Sequence, residues 1–278
     1  MLGLVVGIWW YTSAGSPTEA SGQAVHQFNT NDFHSLAFDS EESDTLYFGH
    51  HGGLKVSHNG GESWEDTALE GVDAMQLAVP GGDSDRMYAA GHDVFYVSTD
   101  GGETWRSQPN NLPGLDLHSL AGSSSDPLRL YTVPAGQGIF TSADGGETWE
   151  AVTMPPGGER AAIALAVASG DPMHLYAGVG KRLVESTDGG MTWQEHSGPP
   201  GTIVTLTVSP SDPATLYAGT DQGLFERSDD GSWQRLPVET SGVVLAVAAS
   251  LSDPERIAIV DQQGNLYRSD DGGQAWGQ

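Results

Sequence analysis

The stretch Ser142–Trp149, with the sequence SADGGETW, is one of six copies of a motif, and this repetition decides the fold. The other copies are SHNGGESW at Ser57–Trp64, STDGGETW at Ser98–Trp105, STDGGMTW at Ser186–Trp193, a shortened SDDGSW at Ser228–Trp233 and SDDGGQAW at Ser269–Trp276. The motif tryptophans recur at intervals of 41, 44, 44, 40 and 43 residues. A period in the low forties with one glycine-rich turn per unit is typical of a β-propeller with four strands per blade.

Short apolar segments between the motifs have the length and composition of β-strands. The innermost strand of the first blade is predicted at His34–Phe38, HSLAF. Its counterparts in blades two to six are predicted at Met75–Val79, His118–Gly122, Ile163–Val167, Val204–Val208 and Val243–Val247. Turns rich in Ser, Asp and Pro, such as Ser252-Asp253-Pro254, follow these strands and indicate hairpins.

The last repeat stops at Gln278, too soon after Trp276 to contain a fourth strand. Residues Ala24–Thr30 precede the first innermost strand, and we expect them to supply the missing strand. Pairing of this kind joins the first and last blades and covers their edges. The sequence therefore predicts an all-β fold, a single six-bladed β-propeller of four-stranded blades over residues 24–278, with the ring closed by an N-terminal strand.

The N-terminal segment differs in composition from the repeats. Leu2–Trp10 is apolar, and Tyr11–Gly22 is rich in small and polar residues. Nine apolar residues are too few to span a bilayer but suit the core of a signal peptide or the end of an anchor. Residues 1–23 are thus interpreted as a leader or anchor remnant with a flexible linker. We expect an extracytoplasmic protein that is secreted, periplasmic or tethered at the outer face of a membrane.

The charge balance excludes several classes of partner. The chain has 37 Asp and Glu residues against 11 Lys and Arg residues, which gives a net charge of −26. Such a chain is not expected to bind nucleic acid or anionic lipid surfaces. Its acidic surface indicates either adaptation to high salt or a surface that binds cations. The absence of cysteine excludes disulfides and thiolate chemistry. We expect a monomer without a nucleotide cofactor.

The repeated Ser-x-Asp-x-Gly-x-Thr-Trp pattern resembles the Asp-box, also called the BNR repeat. The likeness occurs six times in register, with Asn59 in place of Asp in the first box and one residue deleted in the fifth. Within a box, the Asp carboxylate is expected to accept backbone N–H groups and the Trp to pack between neighbouring sheets. We therefore interpret the box residues Asp100, Asp144, Asp188 and Asp230 as structural.

Proteins with Asp-boxes include sialidases, two-propeller xyloglucanases, sortilin-type receptors and a photosystem II assembly factor. A sialidase needs three arginines and an Arg-Ile/Leu-Pro element before the first box. Here no arginine precedes Arg86, and Arg235–Pro237 follows the fifth box. A xyloglucanase of this kind has a second propeller, and the assembly factor has a basic arginine patch that this acidic chain does not reproduce.

The chain is most similar to uncharacterised exported bacterial Asp-box proteins that carry the label glycosylhydrolase-like. The likeness rests on four segments: Asp32–Leu36, Gly49–Leu54, Asp73–Met75 and Ala89–His92. The label comes from the repeat and implies no particular reaction.

Equivalent positions differ between the two halves of the ring. The innermost strand opens with His34, Met75 and His118 in blades one to three, but with Ile163, Val204 and Val243 in blades four to six. Two residues earlier, on the same face of each strand, stand Asp32, Asp73, Asp116, Ala161, Thr202 and Ser241. Polar ligands are therefore expected on one side of the channel mouth only.

The turn between the second and third strands lies at the same end of a blade as the start of the first strand. These turns carry further histidines in blades one and two. Imidazole, carboxylate and thioether groups at a rigid ring mouth are suited to hold a transition metal. The predicted metal ligands are His34, His50, Met75, His92 and His118. Residues predicted to bind another ligand or to orient these side chains are His51, Asp32, Asp73, Asp93 and Asp116. Met75 favours copper, whereas histidine with aspartate alone also suits zinc, iron or manganese.

Three functional hypotheses follow. The first is an exported, non-enzymatic propeller that binds a transition metal (copper or zinc) or another small ligand at this cluster. The second is a glycoside hydrolase in which two of the three aspartates act as an acid/base pair, although the catalytic residues are not assigned. The third is a scaffold for a protein partner. A membrane tether through the N-terminal segment is compatible with all three.

Overall fold

The computed structural model describes residues 22–30, 32–158, 163–210 and 216–277, and these residues form strands and turns. Residues 1–21 of the predicted leader lie outside the described residues. In the described part of the chain, no helix is long and apolar enough to cross a membrane.

Over the described ranges, twenty-four strands form six four-stranded antiparallel sheets. Blade one contains β2 (Ser35–Phe38), β3 (Leu46–His50), β4 (Gly53–Ser57) and β5 (Glu65–Asp66). Blade two contains β6 (Gln76–Ala78), β7 (Arg86–Gly91), β8 (Val94–Thr99) and β9 (Arg106–Ser107). Blade three contains β10 (Leu117–Gly122), β11 (Leu130–Pro134), β12 (Phe140–Ser142) and β13 (Glu150–Ala151).

The remaining blades repeat this order. Blade four contains β14 (Ile163–Val167), β15 (Leu175–Val179), β16 (Arg182–Ser186) and β17 (Gln194–Ser197). Blade five contains β18 (Ile203–Val208), β19 (Leu216–Thr220), β20 (Gly223–Arg227) and β21 (Trp233–Arg235). Blade six contains β22 (Val244–Ala249), β23 (Ile257–Asp261) and β24 (Asn265–Ser269), completed by β1 (His26–Gln27). The predicted six-bladed all-β propeller is confirmed.

The N-terminal strand closes the ring. β1 pairs antiparallel with β24, with His26 opposite Leu266 and Gln27 opposite Asn265. This pairing confirms that the segment Ala24–Thr30 supplies the outer strand of the last blade. A further tie between the first and last blades is the hydrogen bond from Arg268 Nη1 to the carbonyl oxygen of Gly60, at 3.0 Å.

The hydrophobic core is divided into six clusters, one between each pair of adjacent sheets. Each cluster takes up one box tryptophan: Trp64, Trp105, Trp149, Trp193, Trp233 and Trp276. Trp149 of blade three, for example, is 3% exposed and lies edge-on to Phe95 of blade two, with ring centroids 5.8 Å apart. The prediction that the box tryptophans pack between sheets is confirmed.

Each box is also held together by local hydrogen bonds. Asp144 Oδ1 accepts the hydroxyl of Ser142 at 2.8 Å and the backbone N–H of Thr148 at 2.9 Å. Gly145 and Gly146 have φ angles of 72° and 87°, which glycine adopts without steric cost. In the fourth box, hydrogen bonds from the side chain and backbone of Thr192 lower the pKa of Asp188 to about 2. These contacts support a structural role for the box aspartates.

Asn59 in the first box keeps most of this network. Its Oδ1 atom accepts the hydroxyl of Ser57 at 2.9 Å and the backbone N–H of Ser63 at 3.0 Å. Its amide nitrogen donates a hydrogen bond to the Ser63 hydroxyl. A carboxylate at this position would instead accept a hydrogen bond from that hydroxyl. An amide therefore replaces the carboxylate without opening the turn.

Blade four carries a carboxylate between two imidazoles: Glu185 lies in β16, His174 directly precedes β15 and His196 lies in β17. Glu185 Oε1 lies 2.6 Å from His174 Nε2, and Glu185 Oε2 lies 2.7 Å from His196 Nε2. Burial raises the pKa of Glu185, but the hydrogen bond and charge of His174 and the charge of His196 outweigh it, so the pKa lies below its ordinary value of 4.5. The repeat pattern gave no sign of this cluster.

Replacing Trp149 with Ala should destabilise the fold by about 3–5 kcal/mol, as other large core truncations do. Trp193→Ala is the matched control, because that tryptophan is only half-buried and a smaller loss is expected. The free energy of unfolding in denaturant measures both. Equal losses in the two variants would contradict the argument from burial.

Glu185→Gln should lower the melting temperature at neutral pH. Because the folded-state pKa of Glu185 lies below the unfolded value, its stabilisation is present above pH 4.5 and is lost as the pH falls through the folded-state pKa. The gap between variant and wild type should therefore shrink in acid. Glu195→Gln serves as control, since the exposed pair of Glu195 with Arg182 contributes at most about 1 kcal/mol. A gap independent of pH would refute the assignment.

Candidate metal centre

The innermost strands of the six blades surround a central channel with a volume of about 380 Å³. In blades four to six its wall is formed by hydroxyl and apolar side chains, such as Thr202, Val204 and Leu245. Blades one and three add the imidazoles of His34 and His118. The two halves of the channel wall thus differ in chemistry, as the sequence predicts.

The antiparallel meander brings the start of each innermost strand next to the turn between the second and third strands. In blade one, Asp32 precedes β2 and His51 lies in the β3–β4 turn. Asp32 Oδ1 lies 2.6 Å from His34 Nε2 and 2.8 Å from His51 Nδ1. Its second oxygen accepts the backbone N–H of His51 at 2.7 Å. One carboxylate therefore orients two imidazoles.

The same arrangement continues through blades two and three. His92, in the β7–β8 turn, places Nδ1 2.7 Å from Asp73 Oδ2 and Nε2 3.3 Å from Asp116 Oδ1. Asp116 Oδ1 also lies 2.8 Å from His118 Nε2. The rings of His51 and His92 are stacked with centroids 5.3 Å apart, which connects the blade-one residues to those of blades two and three. We call the whole set the His/Asp row: Asp32, His34, His51, Asp73, His92, Asp116 and His118.

The β7–β8 turn has a backbone suited to this contact. A Cβ atom on Gly91 would lie only 2.5 Å from the carbonyl oxygen of Asp73, so glycine permits the close approach. Asp93 has a φ angle of 60°, a conformation that Asp tolerates better than most residues. The tight turn thereby holds His92 between Asp73 and Asp116.

The imidazoles of the His/Asp row have different proton affinities. Burial lowers the pKa of His34 even though Asp32 favours its charged form. The hydrogen bond to Asp73 raises the pKa of the exposed His92. His34 therefore loses its proton more readily than His92. The protonated form of His92 is stabilised by the carboxylates of Asp73 and Asp116.

Three overlapping groups in the row bring one potential ligand atom from each member within 4.8 Å of the others. The groups are Asp32, His34 and His51; His51, Asp73 and His92; and His92, Asp116 and His118. Asp73 Oδ1 is buried and has no hydrogen-bond partner among the described residues. Imidazole nitrogens and carboxylate oxygens at these distances fit a divalent transition metal.

Three residues that the sequence grouped with this site are not members of the three ligand groups. His50 stacks on Phe48 with centroids 5.5 Å apart, and its Nδ1 atom accepts the N–H of Gly52. Met75 is 2% exposed and does not contribute to the described channel lining, so its sulfur gives no support for copper. Asp93 is exposed and donates its backbone N–H to the carbonyl oxygen of Leu115.

Blades five and six use the corresponding positions for backbone hydrogen bonds. Thr202 and Ser241 donate their N–H groups to Asp221, which follows β19, and to Asp261, the last residue of β23. Ala161, the equivalent position in blade four, lies outside the described residues. The structure thus supports the predicted contrast between blades one to three and blades five and six.

The model of the BNR/Asp-box repeat matches residues 96–107, 140–151 and 184–195. No curated protein matches the sequence. Ycf48 bound to a D1 peptide is 20% identical over 91% of this chain and 82% of that chain, with a TM-score of 0.57. The GH74 xyloglucanase from Xanthomonas campestris is 21% identical over 91% of this chain and 46% of that chain, with a TM-score of 0.64.

The extracellular domain of a hybrid two-component system protein from B. thetaiotaomicron is also similar, at 15% identity over 90% of this chain and 34% of that chain, with a TM-score of 0.61. This chain spans less than half of the xyloglucanase and of the B. thetaiotaomicron extracellular domain. At such identities the likeness concerns the fold. The matched repeats and the six sheets together show that the chain is a six-bladed β-propeller built from BNR/Asp-box repeats.

Proposed function

We propose that this chain is a non-enzymatic, extracytoplasmic propeller that binds a transition metal at the His/Asp row. The observation that carries the proposal is the convergence of seven histidine and aspartate side chains, from three successive blades, into three overlapping ligand groups. The equivalent positions in blades five and six form backbone hydrogen bonds instead. The potential ligands are thus gathered in the sector formed by blades one to three, as a single metal site requires.

The chemistry of the row favours zinc. Two imidazoles and a carboxylate form a common ligand set for zinc, and paired carboxylates orient the imidazole rings. The net charge of −26 raises the concentration of cations near the surface. Copper is the second candidate, because imidazole also binds it well.

A glycoside hydrolase at the same face receives less support. Asp32, Asp73 and Asp116 are each engaged by a histidine. The six box tryptophans belong to the clusters between sheets and so do not form a platform for sugar rings. The likeness to a GH74 xyloglucanase covers 46% of that chain at 21% identity, and it concerns the fold.

A scaffold for a protein partner is the second candidate function. It is favoured by the likeness to Ycf48, whose structure contains a bound D1 peptide. On this acidic chain, a partner segment with basic residues would be complementary. The two candidates differ in whether the purified protein carries metal.

Elemental analysis of protein made without a histidine tag, after loading with zinc or copper and dialysis, tests the proposal. Wild type should retain metal near stoichiometry. His51→Ala with His92→Ala should lose it, because these two residues supply a ligand to all three groups. His58→Ala is the control, since His58 is exposed and bonds only to Thr45 among the contacts described.

Two outcomes would overturn the proposal. Wild type that retains no metal under any loading would make the protein-binding scaffold the leading function. Metal retained by the double variant would show that ions bind outside the His/Asp row.

A further inference from the structure

We infer that the ion occupies the central group of the row, with His51, Asp73 and His92 as its ligands, and that Asp32 and Asp116 are positioning residues. This inference rests on the proposed function. It differs from the sequence prediction, which assigned ligand roles to His34 and His118.

Each imidazole of this central group has a carboxylate from outside the group beside one of its ring nitrogens. Asp32 takes the Nδ1 edge of His51 at 2.8 Å, which leaves Nε2 as the ligand nitrogen. Asp116 takes the Nε2 edge of His92 at 3.3 Å, which leaves Nδ1, the nitrogen beside Asp73. A carboxylate behind each ligating imidazole fixes its orientation and increases its basicity.

Asp73 supplies an independent indication. Its Oδ2 atom faces His92, while Oδ1 lies against Gly91 and is buried without a hydrogen-bond partner among the described residues. A buried carboxylate oxygen without a partner is costly, and a cation at Asp73 would offset that cost. Asp32 and Asp116 carry no such orphaned oxygen among the described residues.

The terminal imidazoles have a different setting. His34 and His118 line the channel. His34 contacts Asp32 and His118 contacts Asp116, the same carboxylates that contact His51 and His92. They are therefore placed to contact a molecule in the channel rather than to complete the ion's ligand set. Three protein ligands leave a tetrahedral ion one open position, which takes water or a small anionic donor.

Cobalt titration of the metal-free protein, followed by absorption spectroscopy and elemental analysis, tests this assignment. Wild type and the His34→Ala, His118→Ala double variant should each bind one ion. Asp73→Asn and His92→Ala should each bind none. Asp32→Asn with Asp116→Asn should keep the stoichiometry but weaken the Kd by about 10–100-fold, with an unchanged melting temperature of the metal-free protein.

Azide added to the cobalt-loaded wild type should shift the absorption bands, because an open position admits an anionic donor. An unchanged spectrum would overturn the three-ligand assignment.

The outcomes separate this inference from the proposed function. Wild type that binds no ion would refute both. If the single ion were lost in the His34→Ala, His118→Ala variant but retained in Asp73→Asn, the proposed function would still hold. The assignment of the ion to the central group would then be refuted. Two ions per chain would place metal in the end groups and refute it as well.

Discussion

Packing between adjacent sheets is the constraint on which the rest of the structure depends. Each blade has two faces, and both are covered only when a neighbour stands on either side. A single four-stranded sheet of this kind would leave its apolar faces in water, so the blades are stable only as a closed ring. The short pairing of β1 with β24 is therefore as important as the much larger cores, because it joins the last blade to the start of the chain.

The closed ring also explains why the His/Asp row lies at one end of the channel. The meander sends the first residues of every innermost strand to the same end as the facing turns. Side chains that are distant in sequence, such as Asp32 and His51 or Asp73 and His92, then meet at fixed distances. Rigid strands on both sides of the row limit its rearrangement, which is what an ordered metal centre needs.

The fold could be predicted almost completely from the sequence because its signal is local. Each box specifies its own turn, and the spacing of Trp105 and Trp149 shows the length of a blade. The closing strand followed from the missing outer strand after Trp276. These inferences need only the repeat and the pairing rules of sheets.

The site was predictable in part. Comparison of equivalent strand positions, together with the turns of blades one and two, named all seven members of the His/Asp row along with His50, Met75 and Asp93, but it did not show which nitrogen faces which carboxylate. The sequence also could not show which of the adjacent His50 and His51 turns toward the row, because stacking on Phe48 decides it. The cluster around Glu185 was missed because blade four alone combines these residue types at the equivalent positions, so the comparison between blades did not point to it.

The Asp-box has a consequence for how such a ring can change over evolutionary time. Its hydrogen bonds complete each blade at the end opposite the His/Asp row, and the channel-facing side chains at the start of the innermost strands, such as His34 and His118, belong to none of the six core clusters. Blades one and three carry imidazoles there, whereas blades five and six carry backbone-bonded turns on the same scaffold. One end of the propeller thus stabilises the fold. At the other end, side chains that can bind a ligand can be gained or lost one blade at a time.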